Sequence, residues 1–217
     1  MTLEEVFDAY VETGTEPPRW LAEKIGRAKR AAVTDDGELA RLAAECGVPE
    51  RYKWVAPDES RNDRLAAGVS LYVHGTSGDG KTTTACRILK GWLAAGMGTA
   101  LFVPSMDLMD ELRDTITGGA SAATMRCYTS VGLLVVDDLG KGKMGVWTVS
   151  KLFQLFDTRY AAKLPTIVTT QHGTSKLARL MGSEDAETAQ AIVSRMRETF
   201  KGIDCGDEDR RLSNGKA

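Results

Sequence analysis

The sequence lacks paired cysteines, long apolar runs and an excess of charge of one sign. Its four cysteines are scattered along the 217 residues, without the close spacing that a zinc site or a small disulfide framework needs. Lys and Arg number 28 and Asp and Glu number 30, which gives a formal net charge of -2. Because this balance gives no global attraction to nucleic acid or anionic membrane, any contact with DNA must come from a local patch.

No apolar run is long enough to cross a bilayer, and the opening segment MTLEEVFDAYVE is acidic where a secretory signal is basic and then apolar. We therefore expect a cytoplasmic protein that does not associate with membranes. Hydrophobic residues make up 42% of the chain and charged residues 27%, which is typical of a globular protein with one main domain.

The pattern of hydrophobic residues changes along the chain. Three short helical patterns, separated by Gly and Pro, predict a small helical N-terminal region over residues 1–48. Strand patterns then alternate with helical ones, which predicts an α/β core over residues 49–206 with a mainly parallel sheet covered on both faces. The strand patterns are VSLYVHG, TALFVPS, VGLLVVDD and PTIVTT, with a possible fifth at TFKGIDC. Residues 207–217 are a predicted polar tail, and TGGASAAT and GKGKMG are predicted loops.

The segment after the first strand pattern satisfies GxxxxGK(S/T) and is followed by a helical pattern. In such a loop the backbone amide groups point at phosphate oxygens, and the helix adds the positive end of its dipole. Lys81 is predicted to reach the β- and γ-phosphates of ATP, and the Thr82 hydroxyl is predicted to bind Mg²⁺. The alternative is an ordinary glycine turn between a strand and a helix. The candidate ATP-binding residues here are Gly75, Thr76, Ser77, Gly78, Asp79, Gly80, Lys81, Thr82 and Thr83.

Two acidic residues, Asp137 and Asp138, end the apolar strand pattern LLVVDD. The carboxyl ends of parallel strands share one edge of the sheet, so these side chains are expected beside the phosphate loop. ATP hydrolysis needs a carboxylate for magnesium and a polar group that orients the attacking water. We assign Asp137 to Mg²⁺ and Asp138 to the water. Two acidic residues that merely end a strand at the surface are the alternative.

The order of these motifs resembles the DnaC-type helicase loaders and the related IstB-type transposition helper ATPases, both of the AAA+ group. The resemblance is carried by GVPERYKW, GTSGDGKTTTA, LFVPSMDLMDELRD, LLVVDDLG, FQLFDTRYAAKLPTIVTTQ and IVSRMRE. It implies a P-loop AAA+ three-layer fold with five parallel strands and little or no C-terminal lid. It also implies nucleotide-dependent homo-oligomers that act on a partner machine and not on a small-molecule substrate.

The resemblance also assigns roles to single residues. Gln171 falls at the sensor-one position, where the family more often has Asn, and Thr170 is the alternative sensor. A further alternative is that Gln171 simply starts a loop. Arg195 matches the arginine finger, expected to act on a neighbouring subunit, and an ion pair with Glu187 or Glu198 is the alternative. Arg51 and Tyr52 match a segment that lies near the adenine, and a core-edge aromatic is the alternative for Tyr52.

The leading functional hypothesis is an ATPase that loads or remodels a DnaB-like replicative helicase on DNA, with the N-terminal helices as the docking region. The alternatives are an IstB-like helper that recruits a transposase, and a nucleotide-switched regulatory protein with negligible turnover. Single-stranded DNA is a candidate ligand of two basic segments, RWLAEKIGRAKR and the loop Lys141-Gly142-Lys143. A solvated helix face explains the first segment equally well.

Overall fold

The computed structural model describes residues 32–117, 121–142, 144–182 and 185–206. Its centre is a sheet of five strands in the order β2-β3-β4-β1-β5, and every neighbouring pair of strands is parallel. This confirms the predicted α/β fold with a parallel sheet. The strands are β1 Ser70–His74, β2 Ala100–Pro104, β3 Leu133–Asp137, β4 Thr166–Thr170 and β5 Phe200–Asp204.

Helices cover both faces of this sheet, as the alternating pattern predicts. A short 3-10 helix, Glu50–Tyr52, precedes β1. One predicted loop is wrong, because the second half of TGGASAAT belongs to helix α5, in which Ala123 and Thr124 are buried. In the described part of the chain the α-helices are α1 Asp36–Glu45, α2 Asn62–Ala66, α3 Lys81–Ala94, α4 Ser105–Thr117, α5 Ser121–Ser130, α6 Val146–Ala161, α7 Thr174–Met181 and α8 Ala186–Thr199.

Alternate side chains of the strands enter two separate apolar layers. Leu134 and Val136 of β3 pack with residues of α4 to α8 on one face of the sheet. Leu133 and Val135 pack with α3 on the other face, where Ile88 is fully buried. Because β3 is buried on both faces, its five residues are almost continuously apolar, which is the pattern of a central parallel strand.

The register of the sheet decides which side chains meet at its carboxyl edge. Val136 of β3 is paired with Val168 of β4, and Val73 of β1 is paired with Thr169 of β4. One residue beyond the first pair, Asp137 therefore lies beside Thr169. The phosphate loop that follows β1 begins at the same edge, so three neighbouring strands deliver polar groups to one place.

A buried arginine, Arg159 of α6, holds the opposite edge of the sheet together. Its side chain is 1% exposed, and burial lowers its pKa to about 9, so the guanidinium is still protonated at neutral pH. All of its recorded partners are neutral oxygens. They are the Thr166 hydroxyl (2.8 Å) and the carbonyls of Tyr128 (3.0 Å), Val131 (2.7 Å), Gly132 (3.3 Å) and Pro165 (2.6 Å).

Helix α1 packs on α3 and is continuous with the core. Ala43 and Val48 are buried in the same apolar layer as β1 and α3. The carbonyl of Cys46 accepts a 2.7 Å hydrogen bond from the backbone N–H of Phe102 on β2. The last part of the predicted N-terminal region is therefore built into the α/β core by burial and by a backbone hydrogen bond to β2.

The rest of that predicted region, including the basic segment RWLAEKIGRAKR, lies outside the described residues, as does the predicted tail over 207–217. Its partner-docking role stays a prediction. Within the described ranges, no helix combines the length and the apolar character needed to span a membrane.

Candidate functional site

The phosphate loop connects β1 to α3, and its backbone depends on glycine at two points. Gly80 has a φ of 82° and caps α3 without a side-chain hydrogen bond. A Cβ added at Gly75 would lie 2.6 Å from Oδ2 of Asp79, which is closer than a Cβ atom comes to a non-bonded neighbour in real proteins. The loop therefore curls tightly and leaves the first amide groups of α3 without a side-chain cap, which is the arrangement that binds phosphate.

Two polar side chains of this loop have different surroundings. Lys81 is buried to 6% exposure, lines the cleft above the loop and donates a hydrogen bond to the Thr76 carbonyl. Asp79 is fully buried and accepts a 2.9 Å hydrogen bond from the Thr76 hydroxyl. Lys81 is thus positioned for a ligand in the cleft, whereas Asp79 supports the loop from inside.

Thr82 and Asp137 form the candidate magnesium site. The Thr82 hydroxyl lies 3.0 Å from Oδ1 and 3.1 Å from Oδ2 of the Asp137 carboxylate. A hydroxyl and a carboxylate are the oxygen ligands that Mg²⁺ prefers, and the ion commonly takes its remaining ligands from water and substrate phosphates. Within the described ranges no group of three or more His, Cys, Asp or Glu side chains could hold a metal. The chemistry of this pair fits a magnesium ion that is shared with a phosphate.

Thr169 is a site residue that the sequence analysis did not select. Its side chain is fully buried, and its hydroxyl donates a 2.5 Å hydrogen bond to Oδ1 of Asp137. The Thr169 hydroxyl oxygen also accepts a 2.9 Å hydrogen bond from the backbone N–H of Asp138. One hydroxyl therefore orients the first acidic residue and fixes the backbone of the second. The sequence feature that could have identified Thr169 is a threonine near the carboxyl end of a strand that neighbours the acidic strand.

Burial is the main influence on Asp137, which is 8% exposed. It raises the pKa of the carboxyl above its ordinary value, and the hydrogen bonds from Thr169 and Thr82 oppose part of that rise. A magnesium ion at this point would favour the charged form, because it replaces the missing solvation of the carboxylate.

Asp138 adopts a left-handed backbone conformation with a φ of 54°. Asparagine and aspartate tolerate this conformation better than other side chains do. Two hydroxyls hold it in place, since the Ser105 hydroxyl donates to the Asp138 carbonyl at 2.9 Å and Thr169 accepts the N–H. The chain turns sharply here, so Asp137 stays buried while Asp138 lines the cleft.

Arg51 and Tyr52 form part of the cleft wall on the other side of the phosphate loop. The Arg51 guanidinium lies 4.6 Å from the centre of the Tyr52 ring. Burial raises the pKa of the Tyr52 phenol, and the charge of Arg51 opposes this rise. The structure thus brings the predicted adenine segment to the same cleft as the phosphate loop, and its contact with adenine stays a prediction.

The segment that carries this wall is tied to helix α3. Lys90 of α3 is 4% exposed, and its ammonium donates to the carbonyls of Lys53 (2.8 Å) and Val55 (2.7 Å). Trp54, between these two residues, is 69% exposed. The helix that starts at the phosphate loop therefore also holds the wall beside it.

The two candidate sensor residues at the end of β4 differ in their environment. Thr170 is fully buried, and its hydroxyl donates a 2.6 Å hydrogen bond to the Leu139 carbonyl. Gln171 is exposed and lines the cleft. Of the two side chains, only that of Gln171 is placed toward a bound ligand, and its sensor role stays a prediction.

Arg195 on α8 is held by side chains of α6. Its Nε lies 2.5 Å from Oδ1 of Asp157. Its guanidinium lies 5.3 Å from the centre of the Phe153 ring and 5.7 Å from that of Tyr160. Because a third of the side chain remains exposed, the charge is both positioned and accessible.

The structure does not bring Arg195 to the cleft of its own chain. It lines a small pocket with Ser70 and Thr166, which begin β1 and β4 at the opposite edge of the sheet. Its ion-pair partner belongs to α6, whereas the alternative interpretation named Glu187 and Glu198 on α8. The role in a neighbouring subunit stays a prediction.

These elements enclose an open cleft of about 700 Å³ at the carboxyl edge of the sheet. That volume suits a ligand of nucleotide size, since small-molecule sites span about 300–1,000 Å³. Cationic and hydroxyl groups lie beside backbone amides in its walls. The lining residues are Arg51, Tyr52, Ser77, Gly78, Gly80, Lys81, Thr82, Thr83, Asp138, Lys141 and Gln171.

Known proteins resemble this chain in sequence and in fold. An insertion sequence IS5376 putative ATP-binding protein of Geobacillus stearothermophilus is 28% identical over 122 residues, which are 56% of this chain and 47% of that protein. The chain thus spans about half the length of this relative. The DnaC helicase loader superposes with a TM-score of 0.60 and 21% identity over 72% of this chain and 99% of that one. DnaI superposes with a TM-score of 0.58 and 25% identity over 84% of this chain and 91% of that one.

The model of the IstB-like ATP binding protein family matches residues 66–217. That range contains the phosphate loop, the acidic strand and all five strands of the sheet. The fold shared with DnaC agrees with this assignment. The chain therefore belongs to the family of IstB-like ATP-binding proteins and has the P-loop AAA+ fold.

Proposed function

We propose that this chain is a magnesium-dependent ATPase whose nucleotide state controls a protein partner on DNA. The observation that carries the proposal is the contact of Thr82 with Asp137, supported by Thr169, directly beside the phosphate loop. ATP-dependent enzymes need this combination of a phosphate cradle, a magnesium ligand pair and a polar group for water.

The chain's own residues divide this work. The loop amides and Lys81 bind the phosphates, and Thr82 and Asp137 hold Mg²⁺, which when bound neutralises phosphate charge. Asp138, at the cleft surface, orients the attacking water and accepts its hydrogen bond. Gln171 contributes a polar group from the neighbouring strand end.

We further propose that the active form is a homo-oligomer in which Arg195 completes a neighbouring subunit's site. Its distance from its own cleft and its partial exposure support this role. A guanidinium is permanently charged and forks onto phosphate oxygens, which suits it to stabilise the charge that develops during phosphoryl transfer.

Two classes of partner fit the proposal. The family match and the insertion-sequence relative favour a transposase, so that the chain would be a transposition helper. The fold shared with the DnaC helicase loader and DnaI favours a DnaB-like replicative helicase. The Geobacillus relative is named as an insertion-sequence protein, and we rank the transposase first for that reason.

Phosphate release with and without single-stranded DNA tests the enzymatic part. We expect slow turnover that requires Mg²⁺ and disappears in Lys81→Ala, while Lys201→Ala, a change at an exposed lysine of β5, leaves it unaltered. ATP binding without turnover, with or without DNA and partner, would instead support a regulatory protein that acts through its bound state.

Affinity capture with purified partners tests the biological part. The chain is presented with a transposase from an insertion sequence of this family, or with a DnaB-like helicase, in a non-hydrolysable ATP analogue and in ADP. Retention of one partner that depends on the nucleotide identifies the function. A truncation for this experiment is best made before residue 32, because Ala43 and Val48 belong to the core.

A further inference from the structure

Lys141 is a second lysine in the proposed nucleotide cleft. It follows the acidic strand by four residues and lines the same cleft as Lys81 and Thr82. Its side chain is 66% exposed, and its ammonium lies 3.5 Å from Oδ2 of Asp138. The cleft therefore contains an exposed cation beside the Asp138 carboxylate.

Lys141 follows a tight backbone turn, although its side chain is exposed. Gly140 has a φ of 94°, and a Cβ added there would lie 2.9 Å from Cδ2 of His172. The N–H of Lys141 then donates a 3.2 Å hydrogen bond to the Asp138 carbonyl. This turn needs glycine at position 140, and it directs the next residue back over the cleft.

The pair with Asp138 does not by itself explain the lysine. An exposed ion pair between residues three apart stabilises a protein only weakly. Asp137, the neighbouring carboxylate, is already satisfied by Thr82 and Thr169. Asp138 has Lys141 as its charged neighbour, so a terminal phosphate bound near Asp138 would add negative charge beside this carboxylate and would attract the same cation.

We propose that Lys141 binds the terminal phosphate of ATP, exchanging Asp138 for that phosphate when the nucleotide enters. The inference rests on the proposed function, since it assumes that ATP occupies this cleft. It assigns to Lys141 the distinction between ATP and ADP, because only ATP carries the phosphate that the lysine would contact. Release of Asp138 from its cation also leaves the carboxylate available to orient water.

Equilibrium binding of a non-hydrolysable ATP analogue and of ADP, both with Mg²⁺, tests the inference. Lys141→Ala should weaken binding of the analogue about tenfold and leave ADP binding within about twofold, the loss expected for one charged hydrogen bond. Lys141→Arg should keep most of the analogue affinity, and Lys201→Ala is the matched control. Unchanged ADP binding also shows that the variant is folded.

A double-mutant cycle with Asp138→Asn tests the exchange of partners. Asp138→Asn frees Lys141 and removes the repulsion between the carboxylate and the phosphate, so the analogue should bind a few-fold more tightly. The gain in affinity from Asp138→Asn should be smaller when Lys141 is already replaced by Ala. Additive effects would overturn the exchange. An equal loss for analogue and ADP in Lys141→Ala, or no loss, would overturn the phosphate contact while leaving the ATPase proposal intact. A parent protein that binds neither nucleotide would remove both.

Discussion

The fully buried hydroxyl of Thr169 lies 2.5 Å from Oδ1 of Asp137. The parallel register of β3 and β4 produces this contact, because it sets the ends of the two strands side by side. The candidate magnesium carboxylate is therefore oriented by the neighbouring strand and not by the phosphate loop alone.

We expect Thr169→Val to lower both stability and turnover. The change removes one hydrogen bond from the Asp137 carboxylate and leaves the buried N–H of Asp138 without its acceptor, which costs about 1–3 kcal/mol. Turnover should fall roughly tenfold, while nucleotide still binds. Thr169→Ser keeps the hydroxyl and is the control. Denaturant unfolding and phosphate release measure the two effects, and a Val variant as active as the Ser variant would contradict the role.

Lys81→Ala should abolish tight ATP binding. Lys81 supplies the point charge that faces the β- and γ-phosphates, and no other charged side chain belongs to the loop itself except Asp79, which is buried. Titration with a fluorescent nucleotide measures the affinity directly. A variant that binds and turns over ATP as the parent does would show that the phosphate loop is assigned wrongly.

As the pH is lowered, magnesium binding should begin to weaken at a higher pH than it would if Asp137 had the pKa of a solvated aspartate. The pKa of Asp137 is raised by burial, so its proton returns at a higher pH than that of a free aspartate, and the metal needs the charged form. The effect of this raised pKa on folding stability runs in the opposite direction to its effect on magnesium binding. It stabilises the folded protein at acidic pH, and this stabilisation is lost as the pH rises through the folded-state pKa of Asp137.

Magnesium titrations of the ATP-bound protein between roughly pH 5 and pH 8 test this expectation. The magnesium requirement should rise toward the acid end and should rise further in Thr169→Val, which loses a donor that lowers the pKa. Asp137→Asn should need more magnesium throughout and should keep only the pH dependence of the nucleotide's own phosphate. A parent curve as flat as that of Asp137→Asn would contradict the assignment.

Arg195→Ala should bind ATP about as tightly as the parent and hydrolyse it poorly, with a loss on the order of a thousandfold. Asp138→Asn should also bind nucleotide and turn over slowly. Mixing these two inactive proteins should restore turnover, because one subunit then lends its arginine to the intact site of another. No recovery in demonstrably mixed oligomers would disprove action between subunits.

Arg159→Met should destabilise the fold without touching the cleft. The change removes the Arg159 donors from four carbonyls, of which those of Tyr128, Val131 and Pro165 take part in buried hydrogen bonds, so we expect a loss of about 3 kcal/mol. Arg159→Lys keeps the charge but has fewer donors and cannot restore all of these bonds. Arg197→Met, at an exposed position of α8, is the control. Equal unfolding free energies for Arg159→Met and the control would contradict this account.

Much of the fold was predictable because local patterns agree with it. The apolar run LLVVDD corresponds to β3, Leu133–Asp137, and PTIVTT corresponds to β4, Thr166–Thr170. The pattern GxxxxGK(S/T) between a strand and a helix is typical of phosphate binding, so the loop could be placed beside the acidic strand before its geometry was known. Helix α5 was missed because its first turn consists of small residues with little amphipathic pattern.

The remaining features depend on contacts between distant parts of the chain. Thr169 and Thr170 are indistinguishable in the sequence, and only the register with β3 sets the first against Asp137. Arg159 occurs in an ordinary helical pattern, and its burial follows from the close approach of three chain segments. The left-handed backbone of Asp138 likewise depends on hydroxyls from two other strand ends.

Helix α3 begins at Lys81 and holds, through Lys90, the carbonyls on both sides of Trp54. These two lysines are about 13 Å apart along the helix axis. One continuous α-helix thus connects the phosphate end of the cleft to its far wall. A tilt of that helix when phosphate binds would therefore also move the exposed indole of Trp54.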